Sequence, residues 1–200
     1  MASSLNASTA GGGGVIVTSD ATGNLDIQSG GSTVVAVSST GATFTGTGKF
    51  ATTIGVGNAT PAASGSGITF PATQSASSDA NTLDDYEEGT WTPVPTALVG
   101  AFTTVGAVSG IYTKIGRQVT VQSSIVITNK GTASVGMHVS GLPFQIRNEV
   151  YAGGGFNGSN AVSLTIIPTG ANTLFDVYKY DGTDPVGNSQ QLNCTFTYFT

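Results

Sequence analysis

Charge is scarce in this chain of 200 residues: 8% of positions are charged, and the six basic residues are scattered as Lys49, Lys114, Arg117, Lys130, Arg147 and Lys179. A net charge of −5 without a basic cluster offers no footprint for a phosphate backbone, so nucleic acid is not an expected partner. Long apolar runs are missing as well. None approaches the roughly 20 residues that a membrane helix needs, so no membrane insertion is expected. Met1–Ala10 has neither the basic start nor the apolar core of a signal sequence, and no secretory route is expected.

The lone cysteine, Cys194, cannot form an internal disulfide and is expected as a small buried hydrophobe. His138, the lone histidine, lies in GMHVSGLP and is expected as an ordinary strand residue. One Cys and one His fall short of the three or four ligands of a zinc site. A catalytic triad needs a nucleophile and an orienting acid around the histidine, and no Gly-x-Ser-x-Gly elbow is present. The glycine runs Gly11–Gly14 and Gly153–Gly155 are not followed by Lys-Ser/Thr, which excludes a phosphate loop. No enzymatic activity, cofactor or metal is expected.

Helix-forming Leu, Met, Glu, Lys and Arg are also few, whereas Val, Ile, Thr, Phe and Tyr are common beside 29 Gly. The composition is that of an all-β protein. From Met1 to Ala72 half of the positions are Gly, Ser or Thr. Short apolar clusters recur there, Val15–Val17, Leu25 and Ile27, Val34–Val37, Phe44, Phe50, Ile54, then Ile68 and Phe70. Turn residues at Ala21–Asn24, Ser29–Ser32 and Ser38–Gly41 separate them, the cadence of strands and hairpins. Such strands bury too little alone to offset the ordering of so much glycine, so neighbouring chains are expected to supply contacts.

Residues 73–95 read as a connector, and residues 96–200 as an antiparallel β-sandwich of seven or eight strands, jelly-roll-like. Val119, Val121, Ser123, Ile125 and Ile127 form one row of a strand. Leu192, Cys194, Phe196 and Tyr198 form one row of the last. Further strands are expected at Gly110–Ile115, Ser134–Ser140, Glu149–Phe156, Val162–Pro168 and Thr173–Tyr180.

The connector holds the one concentration of charge: Asp84, Asp85, Glu87 and Glu88 place four of the eleven carboxylates within five residues, just before Trp91, the only tryptophan. A glycosidase would need two carboxylates facing each other across a sugar, and a calcium loop would need alternating ligands with a turn glycine. DDYEEG supplies neither. Thr82 reads instead as the N-cap of a single helical turn with Asp85 three residues on. In that reading Leu83, Tyr86 and Trp91 staple the connector to the sandwich while the acids point outward. Tyr178 and Tyr180, flanking Lys179 before the turn at Asp181, could present rings to a sugar. The loops around Gly153–Gly158 and Asp181–Asn188 are further candidates for such a contact.

FPATQSASSDANTLDDYEEGTWTP at 70–93, SGIYTKIGRQVTVQ at 109–122 and SGLPF at 140–144 resemble a module that recurs in tail-fibre and other virion structural proteins of tailed bacteriophages. SDATGNLDIQSGGSTVVAVSSTGATFTG, from residue 19, is similar to the attachment and shaft portions of the same proteins. The resemblance implies a non-enzymatic, commonly trimeric virion protein made in the host cytoplasm. Residues 1–72 would dock it on a tail adaptor or on capsid proteins, and the head would be exposed, in reach of host cell-surface glycans. Three functions fit the sequence: an adhesive short fibre, a capsid decoration or cement protein, and, least well at this length, a polysaccharide-degrading spike.

Overall fold

The computed structural model describes residues 24–147, 153–169 and 171–200. Val15–Val17, Gly11–Gly14 and the first part of the strand expected from Glu149 lie outside the described residues. The fold is all-β, with no helix among the described residues, and the chain divides into two compact units, Met1–Thr53 and Ile54–Thr200.

In the first unit β1 (Leu25–Ser29), β2 (Ser32–Ser38) and β3 (Gly41–Phe44) form an antiparallel meander. Gly30 and Gly31, at φ 60° and 79°, make the two-residue turn between β1 and β2, a conformation that glycine reaches without a Cβ clash. Ser38 closes the second turn by accepting the Thr40 N–H at 3.3 Å. Both turns fall where the sequence predicts them. No residue of β1–β3 is buried. Beyond them β4 (Thr53–Gly55) and β5 (Gly67–Thr69) make a separate two-stranded ladder.

The second unit is dominated by one nine-stranded antiparallel sheet. Its strands are β6 (Tyr86–Trp91), β7 (Val94–Val99), β8 (Thr104–Ile115), β9 (Gln118–Asn129), β10 (Ser134–Ser140), β11 (Gly153–Asn157), β12 (Val162–Pro168), β13 (Leu174–Lys179) and β14 (Gln190–Phe199). Their order in space is β6-β8-β9-β14-β11-β12-β13-β10-β7. Strands adjacent in sequence, β6 and β7, therefore form opposite edges, joined only through Thr92-Pro93. The sheet curls on itself to allow this, and its inner face becomes a sandwich-like core. Trp91 of β6 meets Phe175 of β13 edge-on with centroids 6.4 Å apart, and Phe175 meets Phe196 of β14 at 4.9 Å.

Alternation builds that core. Val119, Val121, Ser123, Ile125 and Ile127 of β9 are buried, as are Leu192, Cys194, Phe196 and Tyr198 of β14, the two rows read from the sequence. Each fully buried Val, Leu, Ile or Phe contributes about 1.5–3 kcal/mol relative to exposure. The sheet begins earlier than residue 96, because β6 and the start of β7 come from within the segment read as connector.

Candidate functional site

Asp84–Glu88 pass from a loop into the edge strand β6, whose register sets Tyr86 opposite Ile115, Glu87 opposite Lys114 and Glu88 opposite Thr113. The helical turn expected at Thr82 does not form. Asp79 accepts the Asn81 N–H at 2.9 Å, and the Thr82 N–H donates to the Asp79 carbonyl at 3.1 Å. A side-chain-held turn takes the place of the helix start, and the chain then extends to pair with β8.

Each acid has its own local donor. The Ser77 N–H at 2.8 Å, followed by the weaker Gln74 amide at 3.4 Å, holds the Asp84 carboxyl below its ordinary range. Asp85, expected to point outward, is buried and paired with the equally buried Lys114 ammonium. Lys114 also donates to Gln74 Oε1 at 3.3 Å and lies 5.4 Å from the Phe144 ring centroid. Two charges withdrawn from water survive when they meet each other and further polar or π partners, as here. Glu87 accepts from the Tyr112 hydroxyl, and that bond pushes the phenol up to about 12. Glu88 accepts from Tyr86 Oη at 3.2 Å, which raises the Tyr86 phenol in turn.

The three segments that carry the family resemblance meet at this edge. DDYEEGTW brings Asp85 and Glu87, YTKIGR brings Lys114 and Tyr112, and GLPF brings Phe144, whose ring stands edge-on to Tyr112 at 5.5 Å. The Gly116 N–H closes the corner on the Asp85 carbonyl at 2.9 Å. The acidic cluster is a clasp that ties loop 74–85 and β6 to the rest of the sheet.

The expected staple of Leu83, Tyr86 and Trp91 is not formed as a group. Leu83 and Tyr86 are 55% and 43% exposed, while Trp91 is 7% exposed and belongs to the core of the head. Gly110 makes room for the indole, since a Cβ there would lie 2.4 Å from Trp91 Nε1. That nitrogen is buried and has no hydrogen-bond partner among the described residues.

The structure does not gather the four residues proposed around the sugar-facing turn: Tyr178 lies near the end of β13, and Tyr180 lies in the turn after it. Tyr180 is 74% exposed, and Tyr178 packs its ring over Gly136, where a Cβ would come within 2.8 Å. Lys179 points to the other side of the pleat, its N–H bonded to the Thr183 carbonyl at 2.9 Å. Asp181 is spent on the turn: the Thr183 hydroxyl at 2.6 Å and N–H at 3.0 Å hold its carboxyl below the usual range. The loop that follows is anchored from within, because the buried Asn157 amide donates to the Pro185 carbonyl at 3.1 Å and to Gln190 Oε1 at 2.8 Å.

Gly153–Asn157 is a strand inside the sheet, as expected over Glu149–Phe156, so most of the loop candidate around Gly153–Gly158 lies within it; it forms one wall of a groove of ≈ 680 Å³ on the outer face. Four strands, β8, β9, β14 and β11, lay two cross-strand rows along the floor, about 14 Å across. One row is Ile111, Gln122, Thr195 and Gly154, and the next is Ser109, Ser124, Asn193 and Phe156. Ile111 and Phe156 stand at opposite corners, 54% and 47% exposed. A Cβ on Gly154 would meet nothing within 4 Å, so the missing side chain is what keeps the floor open. Gln191 Nε2 donates to Ser124 Oγ at 2.8 Å and to Asn193 Oδ1 at 3.3 Å. Of these positions only Gly154 and Phe156 fall in a stretch the sequence singles out, around Gly153–Gly158; Ser109, Gln122, Ser124, Asn193 and Thr195 do not stand out, because small polar residues on an outward row look like any wetted sheet face.

His138 shares a hydrogen bond through Nδ1 with Asp176, its cross-strand neighbour. Burial pushes the Cys194 thiol up to about 12 and leaves it a core hydrophobe. No group of three or more metal-ligating side chains occurs among the described residues. No family model, curated protein or solved structure matches this chain.

Proposed function

We propose that this chain is a non-enzymatic structural protein of a bacteriophage virion, a short self-associating fibre, trimeric by resemblance. Its first unit joins copies and anchors them to the particle, and its nine-stranded head is presented to the host surface. The observation that carries the reading is the face of β1–β3. Cross-strand pairing sets Leu25 opposite Val37, Ile27 opposite Val35, Val35 opposite Phe44 and Val37 opposite Ala42, so these six apolar side chains share one side. The other side carries Asp26 opposite Ala36 and Ala36 opposite Thr43, with Thr33 donating to Asp26 at 3.2 Å.

A three-stranded sheet with an apolar face and no buried residue is marginal by itself. The paired rows Leu25–Val37–Ala42 and Ile27–Val35–Phe44 carry no charge with which to select a charged partner. A closed symmetric assembly gives every copy the same apolar cover. Sedimentation equilibrium of the full chain at micromolar concentration tests this, with a trimer mass expected; a monomer overturns it. Immunogold labelling of purified particles with an antibody to residues 96–200 then separates tail from shell. Label over the head shell would replace the fibre reading with a capsid decoration protein.

A further inference from the structure

We infer that the groove across β8, β9, β14 and β11 is a binding site for a neutral saccharide. This deepens the attachment role proposed above and rests on it for its use in the virion. Among the described residues no charged side chain lines the groove, so neither a phosphate, a uronate nor a basic peptide would find a counter-charge in that lining.

The groove exposes mostly apolar surface, with Ile111 and Phe156 at its corners and the polar groups of Gln122, Ser124, Asn193 and Thr195 set between them. Gln191 fixes the orientation of the polar groups. By donating to Asn193 Oδ1 it leaves the Asn193 NH₂ free to donate outward, and by donating to Ser124 Oγ it leaves that hydroxyl proton free as well. Among the described residues no side-chain hydrogen bond engages the Gln122 amide, one row away on β9. Donors held by neighbours before the ligand arrives lose little freedom on binding. Sugars need such groups, because each ring carries a rim of hydroxyls that both accept and donate. They also carry an apolar C–H face, and the half-exposed Phe156 supplies a matching surface beside the open floor at Gly154. The floor, about 14 Å across four strands, is longer than a single pyranose ring, so the fitting ligand is a short oligosaccharide. Tyr178 and Tyr180, the pair the sequence suggests, belong to β13 and the turn after it and do not line this groove.

Saturation-transfer NMR on the full chain tests the inference, with neutral gluco-, manno-, galacto- and N-acetylglucosamine oligomers as probes beside uronate and sulfated counterparts. Saturation is expected to reach at least one neutral oligomer. In Gly154→Leu, whose Cβ would meet nothing within 4 Å and whose longer side chain would occupy the groove, the signal should fall at least tenfold with the melting temperature and oligomer mass unchanged. Phe156→Ala should weaken the same signal in a chain that remains folded. Transfer to no neutral sugar overturns the inference, as does transfer to charged sugars only, or a signal that Gly154→Leu leaves intact. A changed oligomer mass in Gly154→Leu would make the groove a contact between copies and overturn it too. A chain that assembles and labels particles but binds no sugar keeps the fibre reading and loses this one. A monomeric chain that binds keeps this one and loses the other.

Discussion

β1–β3 and β6–β14 are written in much the same alphabet, with Val, Ile, Phe and Thr between Gly and Ser turns, yet only the second region has an interior. In β9 the apolar row is covered by the opposite half of the curled sheet, and Val119, Ile125 and Ile127 are fully buried. In β1 and β3 the corresponding row ends at Ile27 and Phe44, 51% and 56% exposed. Strand formation and core formation are therefore separable. Alternation and turn residues suffice for the first, whereas the second requires enough strands for the sheet to close on itself. The head closes its own face, and the first unit leaves that to another surface.

The contrast breaks most visibly at the aromatic core. Trp91→Ala should lower the stability of the head by about 4 kcal/mol, the cost of emptying a large buried site, read by circular dichroism in urea. A variant whose head keeps its wild-type midpoint would return Trp91 to the role of an external staple. Slightly smaller is the effect at the clasp: Lys114→Met leaves Asp85 buried without its partner and should cost about 3 kcal/mol. The double variant Asp85→Leu with Lys114→Met removes both charges and should recover most of that loss in the same titration. If the single and double variants melt alike, the pair contributes packing and not electrostatics.

A gentler probe of the same edge is alkaline titration. In the folded chain the bond to Glu87 keeps the proton on Tyr112 up to about 12, whereas an unfolded tyrosine releases it near 10. The contribution of Tyr112 is thus whole below pH 10 and is lost as the pH rises through about 12. Absorbance at the phenolate band should show one late-titrating tyrosine move toward its ordinary value in Glu87→Gln. No movement would mean that the hydroxyl bond is not what holds the proton.

Much of the head was legible because its rows are local: the alternation in β9 and β14 declares its inward face without knowledge of any partner, and the strands 134–140 and 162–168 are bounded by turn residues at both ends. The clasp was not. Four acids within five residues look like a solvated run, and nothing near them in sequence says that Asp85 meets a lysine 29 positions on. That pairing depends on the register of β6 against β8, a long-range choice. The capping signal at Thr82 was sound locally and lost because the strand edge offers residues 86–91 a continuous ladder, more hydrogen bonds than one isolated turn can form. The groove escaped for a different reason: it consists of what small residues leave empty, and a sequence spells side chains, not spaces.

The smallest expected change in stability carries the most information about the first unit. Phe44 is 56% exposed and lies opposite Val35 on the apolar side of the meander. Within one chain, then, Phe44→Asp removes little packing, and the head's urea midpoint should stay within about 0.5 kcal/mol of wild type, as for surface substitutions in general. If copies cover one another's apolar faces, the same carboxylate recurs once per copy inside a dry interface, where an unpaired charge costs several kcal/mol. Sedimentation equilibrium should then find the variant monomeric at concentrations where the parent chain is assembled. Thr43→Asp, on the opposite side of the same strand, serves as the control and should leave the mass unchanged. Loss of assembly in both variants would point to unfolding of the meander, and loss in neither would mean that the apolar side is not where the copies meet.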